Sequence, residues 1–281
     1  NNDEESEIKN CIEELLFLDN KIMLYNFLEI NKINDISPNS YIIKNIGNLN
    51  NINNIFNSEK YFVKPGGYSN NLANKSNITN NFHSGNGINI FNNKKSIINY
   101  FKKEIKSIPN YGYLIQEGLI KLDLYENKKY DLRCHLILIN NKGNLDIYLH
   151  KLPYIRLIHK EYNKNSLELE DNLTNTHFQE KLKEYKQNYI PLNIFDINNI
   201  RLNNLIKSLK KIKDVIKEKI KLSNMRKEIM ILGCDIIFDD NLNSYLIEIN
   251  YNPGFGSRDN EEYNKIENNF INIIIKNFIE K

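Results

Sequence analysis

The chain has 281 residues, of which 41% are hydrophobic and 26% charged, and a formal net charge of +3. That is apolar material for one large or two small domains with a real core, and too much for a disordered chain. So small a net charge provides no global field that would commit the protein to nucleic acid.

Three cysteines, Cys11, Cys134 and Cys234, are odd in number and far apart. Their spacing fits neither a disulfide framework nor a zinc site and points to a reducing compartment. The opening NNDEESEIKN is acidic and lacks the apolar centre of a signal peptide. No apolar run has the length of a membrane span. A cytoplasmic protein is expected. The abundance of Asn, Ile and Lys reads as coding bias.

Residues 8–30 carry apolar side chains at helical spacing and are predicted as one helix. A short strand at Tyr41, Ile42 and Ile43 follows a Ser-Pro-Asn-Ser turn, and residues 45–57 read as an Asn-rich loop with a little helix. Tyr61-Phe62-Val63-Lys64 is a strand that ends in Lys64 and becomes a Pro65-Gly66-Gly67 turn. A lysine at a strand end beside free backbone N–H groups can grip phosphate; an ordinary solvated lysine is the simpler alternative. Residues 69–82 are polar and aperiodic, and read as an insertion. Ser84-Gly85-Asn86-Gly87 precedes an alternating strand, where glycines allow close backbone approach, as they also would in a tight turn. Residues 96–108 form an amphipathic helix stopped by Pro109.

Tyr113 to Gln116 is the next strand, and it runs into Glu117-Gly118-Leu119, a linker whose main chain can face a planar base. Lys129, Asp131 and Arg133 then alternate with Tyr130 and Leu132, so three charges share one strand face. Such charges are costly under a covered face and free along a polar cleft. His135 extends that face as a neighbour. Arg156 adds a cation near the same sheet. Asp171 to Asn175 reads locally as a cap for a helix over residues 178–185. Residues 200–222 form a long helix with one Lys-rich face, solvated or docked on an acidic partner. Residues 263–279 form the last helix.

The richest stretch lies before that helix. Residues 229–238 and 244–249 are two apolar runs joined by a polar turn, the pattern of a buried β-hairpin. Asp235, Glu248 and Asn250 sit inside it. Glu248 and Asn250 share a face, and a turn that sets Asp235 opposite Glu248 makes all three converge. Two carboxylates and an amide oxygen are hard ligands suited to Mg²⁺. Stray acids paired with lysines are the competing explanation.

Eight segments in order resemble the tubulin tyrosine ligase-like family. They are Phe62-Val63-Lys64-Pro65, Ser84-Gly85-Asn86-Gly87-Ile88, Leu114-Ile115-Gln116, Lys129-Tyr130-Asp131-Leu132-Arg133, Arg156, Leu173-Thr174-Asn175, Gly233-Cys234-Asp235 and Glu248-Ile249-Asn250-Tyr251-Asn252-Pro253. The resemblance implies an α+β chain with the ATP-grasp fold, a nucleotide held between two lobes on largely antiparallel sheets. It implies an abbreviated amino-terminal subdomain over residues 1–59, a small lobe over 60–115, and a large lobe with the Mg²⁺ site over 116–281. It assigns Lys64 to ATP phosphate, with Ser84 and Gly85 closing over the triphosphate. Gln116, Glu117, Gly118 and Leu119 would meet adenine. Lys129 and Asp131 would face the nucleotide, and Thr174 and Asn175 would sit at the nucleotide and acceptor side. Arg133 would hold phosphate, and Arg156 phosphate or a substrate carboxylate. Asp235, Glu248 and Asn250 would bind Mg²⁺.

The implied activity is ATP- and Mg²⁺-dependent amide formation through an acyl phosphate, on an acidic protein acceptor such as tubulin. Glutamate is the favoured amino acid, from the tail after Asn250, and the enzyme is expected as a monomer. The sequence departs from the family at Asn86, at Glu117, at Lys151-Leu152-Pro153 and in the insertion at 69–82. None of these removes a metal ligand. A ligase for a small molecule or peptide, and a nucleotide-binding module without catalysis, are the alternatives.

Overall fold

A single asparagine interrupts helix formation near the amino-terminal end. In the computed structural model, which describes residues 10–67, 87–103, 108, 111–150, 153–179, 182, 189–191, 200–225, 227–251, 253, 261–274 and 276, the predicted first helix is two elements. A 3₁₀ segment, Glu13–Asp19, precedes helix α1, Lys21–Ile30. Asn20 between them is extended, and its side chain accepts from the N–H groups of Ile22 and Met23 at 3.0 and 3.2 Å. Capping competes with helix continuation at such a residue. Apolar periodicity cannot show this, because both pieces bury the same kind of side chain.

Strands β1 (Ser40–Ile43), β2 (Tyr61–Pro65), β3 (Asn89–Phe91) and β4 (Tyr113–Glu117) form an antiparallel sheet in the order β1-β4-β2-β3. Helix α2 (Lys94–Lys103) buries Ile97 and Phe101 against one face, together with Val63, Tyr113 and Ile115. Alternation leaves Phe62, Lys64, Leu114 and Gln116 on the other face.

The second sheet holds β5 (Leu124–Tyr125), β6 (Lys128–Asn141), β7 (Asn144–Leu149), β8 (Tyr154–Leu157), β9 (Tyr189–Pro191), β10 (Lys227–Phe238) and β11 (Ser244–Tyr251). The long strands β6 and β10 pair antiparallel from Lys227 opposite Asn141 to Ile236 opposite Leu132. Their even-numbered residues, among them Leu132, Cys134, Leu136, Met230, Leu232 and Cys234, enter the main core. That core is closed by Ile12, Leu15 and Leu18, by Leu24 and Leu28 of α1, and by Leu205, Ile212 and Ile216 of a helix over Ile200–Lys219, called α4 because the short α3 (Thr176–Gln179) precedes it. The last helix, α5 (Glu261–Ile274), sets Phe270 and Ile274 on Ile137, Ile139 and Ile229, covering the opposite face at its far end. The near end of that face carries Lys129, Asp131 and Arg133.

The protein is therefore α+β with antiparallel sheets, as expected. Helix α1 touches both sheets: Ile22 and Tyr25 pack on Leu114 of the first, and Leu24 and Leu28 join the core of the second. A second bridge, Phe62 and Ile90 with Leu173, links the first sheet to the loop that follows β8. The charged face of β6 and the Lys64 face of β2 thus look toward one cleft.

Candidate active site

The hairpin β10–β11 places its acids by a register irregularity. Asp235 pairs with Glu248 and Gly233 with Asn250, but the register shifts between Asp235 and Ile236, so that Ile236 pairs with Leu246. Ile247 is the extra residue. Such a bulge re-aims the side chains on either side of it. Leu246 and Ile249 both reach the core, while Glu248 and Asn250 turn to the face of Asp235. The expected convergence therefore depends on the bulge rather than on the turn.

Asp235 also stands opposite Arg133 of β6, and Asp131 opposite Arg156 of β8. The four form one network. Arg133 Nη2 donates to Asp235 Oδ2 at 3.1 Å, and Arg156 Nη2 lies 2.9 Å from the same oxygen. Arg156 Nε donates to Asp131 Oδ1 at 2.7 Å, and Thr174 Oγ1 to Asp131 Oδ2 at 2.6 Å. Burial and the neighbouring Asp131 and Glu248 push the Asp235 carboxyl upward against the pull of the two guanidiniums. Burial opposes the charge on each arginine, and the carboxylates outweigh it, so both stay firmly protonated.

Across the cleft, Lys64 Nζ donates to Gln116 Oε1 at 2.6 Å; on the β6 side, Lys129 Nζ donates to the Asn172 carbonyl at 2.6 Å. Their ammoniums flank the Phe62 ring, 5.7 and 5.4 Å from its centroid. Burial lowers Lys64 to about 8, with Glu248 pulling the other way. Burial and the nearby Lys60 lower Lys129 to about 7. Lys21, the first residue of α1, reaches Glu248 Oε2 at 3.0 Å. Burial alone would raise the Glu248 carboxyl; Lys21 and Lys64 overcome it and hold the group well below the usual carboxylate range. With the lysines protonated, Lys21, Lys64, Lys129, Arg133 and Arg156 face Asp131, Asp235 and Glu248, a local excess of positive charge that fits a polyanion.

The donor set suits a hard divalent cation. Asn250 Nδ2 donates to Glu248 Oε1 at 3.2 Å, and its amide oxygen accepts no hydrogen bond among the described residues. No group of three His, Cys, Asp or Glu side chains that could hold a metal occurs among those residues. Two carboxylates, one amide oxygen and ligand or water oxygens are a magnesium set rather than a zinc set.

The sequence profile of the Tubulin-tyrosine ligase family matches residues 78–280. The chain belongs to this family. It is 29% identical over 209 residues to tubulin glycylase 3F of Tetrahymena thermophila, covering 65% of this chain and 22% of that protein. It is 24% identical over 215 residues to a probable tubulin polyglutamylase, ttll-9, of Caenorhabditis elegans, covering 68% of this chain and 49% of that protein. The chain thus spans about a fifth and about half of these relatives.

Within this tubulin-tyrosine ligase family chain, Lys64, Gln116, Lys129, Asp131, Arg133, Arg156, Thr174, Asp235, Glu248 and Asn250 come together around one cleft. Ser84, Gly85 and Asn86, the insertion at 69–82, and Lys151 and Leu152 lie outside the described residues. Asn175 caps α3, its side chain accepting from Phe178 N–H at 3.4 Å, as its local reading predicted. The linker offers less main chain than expected. The N–H of Glu117 donates to Asn39 and that of Gly118 to Lys60, at 2.7 and 2.8 Å. Among the described residues the Leu119 N–H keeps no such partner; Glu117, Gly118 and Leu119 line a pocket of about 570 Å³ with Ser58, Lys121 and Asp239, which includes none of the charged residues of the cleft.

Three polar residues at the cleft were not anticipated: Lys21, Lys60 and Asn172. Lys60 could have been found, since it continues the alternation of Phe62 and Lys64. Lys21 follows a capping asparagine, but nothing local tells which carboxylate its helix will face. Among the described residues no helix is long and apolar enough to cross a membrane.

Proposed function

We propose that this chain is an ATP- and Mg²⁺-dependent amino-acid ligase, with the ATP-grasp arrangement of two sheets closing on a nucleotide. The observation that carries this reading is the cleft itself, where excess cations on two sheets surround a hairpin bearing Asp235, Glu248 and Asn250. The acceptor is an acidic protein tail of the tubulin type, which the family membership and the printed names of both relatives support.

The chemistry follows from charge placement. A carboxylate resists attack by an amine until its oxygen takes the γ-phosphoryl group of ATP, releasing ADP. The amine then attacks the acyl carbon, an amide forms, phosphate leaves and the amine loses its proton. Phosphoryl transfer needs positioning and charge neutralisation above all. Mg²⁺, when bound, would neutralise phosphate oxygens beside Asp235, Glu248 and Asn250. Lys64 and Lys129, both beside the Phe62 ring, hold the nucleotide from the two walls of the cleft. Arg133 reaches the cleft from β6. Arg156 uses Nε and Nη2 on Asp131 and Asp235, which leaves Nη1 for phosphate or a substrate carboxylate. Cations aimed at the tetrahedral oxyanion lower the second barrier.

Glutamate is the favoured amino acid, from the segment after Asn250. Glycine is the second reading, favoured by the 29% identity to a glycylase. Mass spectrometry of tubulin treated with the protein, Mg²⁺-ATP and mixed amino acids tests both. Glutamyl increments with the wild type and none with Glu248→Gln support the first; glycyl increments replace it with the second. No increment on tubulin, with turnover on dipeptides, overturns the protein-acceptor reading.

A further inference from the structure

We propose that Lys60 is a positioning residue for the base end of this cleft, a reading that rests on the nucleotide site proposed above. Lys60 lies immediately before β2, where the ladder continues through the Gly118 N–H. It shares a face with Phe62 and Lys64. Four residues of strand place it about 13 Å from Lys64, the length scale of an extended nucleoside triphosphate. Lys64 belongs to the Glu248 end, so Lys60 marks the other.

Lys60 clasps the first sheet to the loop that follows β8. Its ammonium donates to Asn172 Oδ1 at 2.7 Å, and both residues are 2% exposed. Asn172 Nδ2 in turn donates to the carbonyls of Ser166 and Glu168 at 2.9 and 2.7 Å, and its own carbonyl accepts from Lys129. Asn172 is thus locked on every side, and Leu173 follows it. Leu173 with Phe62 and Ile90 forms the apolar contact between the first sheet and the loop that follows β8, the surface a planar base would stack on. The linker has closed down on the lysine stem: a Cβ on Gly118 would lie 2.9 Å from Lys60 Cβ and Cγ. Beside the Lys60 ammonium stand the Tyr162 ring, 5.7 Å away, and Asp171. The Tyr162 hydroxyl and Asp171 Oδ1 are buried with no hydrogen bond among the described residues. Burial lowers Lys60 to about 8, against the pull of Asp171. A desolvated lysine with a neutral acceptor costs stability, and the clasp explains what it does. Lys60 lies before the matched family range of residues 78–280.

The test separates base from phosphate. Calorimetric affinities for Mg²⁺-ATP and for Mg²⁺-tripolyphosphate, which lacks a base, are compared in wild type, Lys60→Met and Lys60→Arg. Lys60→Met should weaken ATP by about tenfold and leave tripolyphosphate within about twofold, with Lys60→Arg restoring ATP. Thermal stability should fall modestly, because Asn172 Oδ1 loses its donor while a desolvated charge is removed; the ratio of the two affinities, which a general loss of stability would not shift, is the readout. Equal losses for both ligands, or no loss for ATP, overturn the proposal. If Lys60→Met does not fold, Lys60→Gln reads the same ratio. A wild type that binds neither ligand overturns the nucleotide site as well, whereas a wild type that binds both while Lys60→Met is unaffected overturns only the role of Lys60.

Discussion

Lys21 donates to Glu248 at 3.0 Å although the two residues stand at opposite ends of the chain. Helix α1 is held between the sheets by Ile22, Tyr25 and Leu28, so its first residue is delivered to the hairpin with little freedom. A carboxylate in so desolvated a place needs a cation.

Removing that cation should show in stability, and its pH dependence follows from Glu248. The folded carboxyl lies below its ordinary value of 4.5. Its contribution is therefore fully present above pH about 4.5 and is lost as pH falls toward the folded value. Lys21→Met should destabilise the fold by about 1–3 kcal/mol at pH 7 and by less at pH 3.5. Denaturant titrations at the two pH values check this; an equal cost at both would contradict the pairing.

The metal hypothesis makes a graded prediction. Asn250→Ala removes one neutral ligand and should raise the Mg²⁺ concentration for half-maximal ATP turnover by about 10–100-fold. Maximal turnover at saturating Mg²⁺ should change less. Glu248→Gln should abolish turnover at any Mg²⁺ concentration. A magnesium titration of both variants is the measurement, and an unchanged midpoint for Asn250→Ala would remove Asn250 from the site.

Nucleotide binding should take up protons near pH 8. Burial holds Lys64 near 8 and Lys129 near 7 in the free protein, so both are partly neutral there. A bound polyanion favours the charged form and raises both. Calorimetry at pH 8 in buffers of different ionisation enthalpy should reveal net uptake, and ATP affinity should weaken from pH 7 to pH 9. Proton release would refute the assignment.

Gly233 is a spacing residue for Arg133. A Cβ there would stand 2.9 Å from Pro253 Cβ and 3.2 Å from Arg133 Nη1. Gly233→Ala must move the proline or displace the guanidinium from Asp235. It should cost about 1–3 kcal/mol of stability and lower turnover more than ATP affinity. Full activity in this variant would show that Arg133 has room to spare.

Much of the fold was legible because its strands are locally self-consistent. β6 and β10 announce themselves by apolar runs bounded by turn residues, and the alternation of Lys129, Asp131 and Arg133 correctly put three charges on one face. The helix over residues 96–108 was read two residues late, beginning at Lys94. The short β9 at Tyr189–Pro191 was missed, since it exists by pairing with β8 rather than by its own pattern. The break at Asn20 was missed because capping and helix continuation suit the same apolar spacing.

By itself the sequence determined which side chains are available, on which face of each strand, and in what order along the chain; those follow from backbone periodicity, a property of neighbours. Only the tertiary structure decided which faces meet. The bulge at Ile247 aims Glu248, α1 brings Lys21 to it, and Lys60 finds Asn172. Each depends on packing between segments far apart in the chain, where buried charge must find a partner and the nearest one is chosen by the fold.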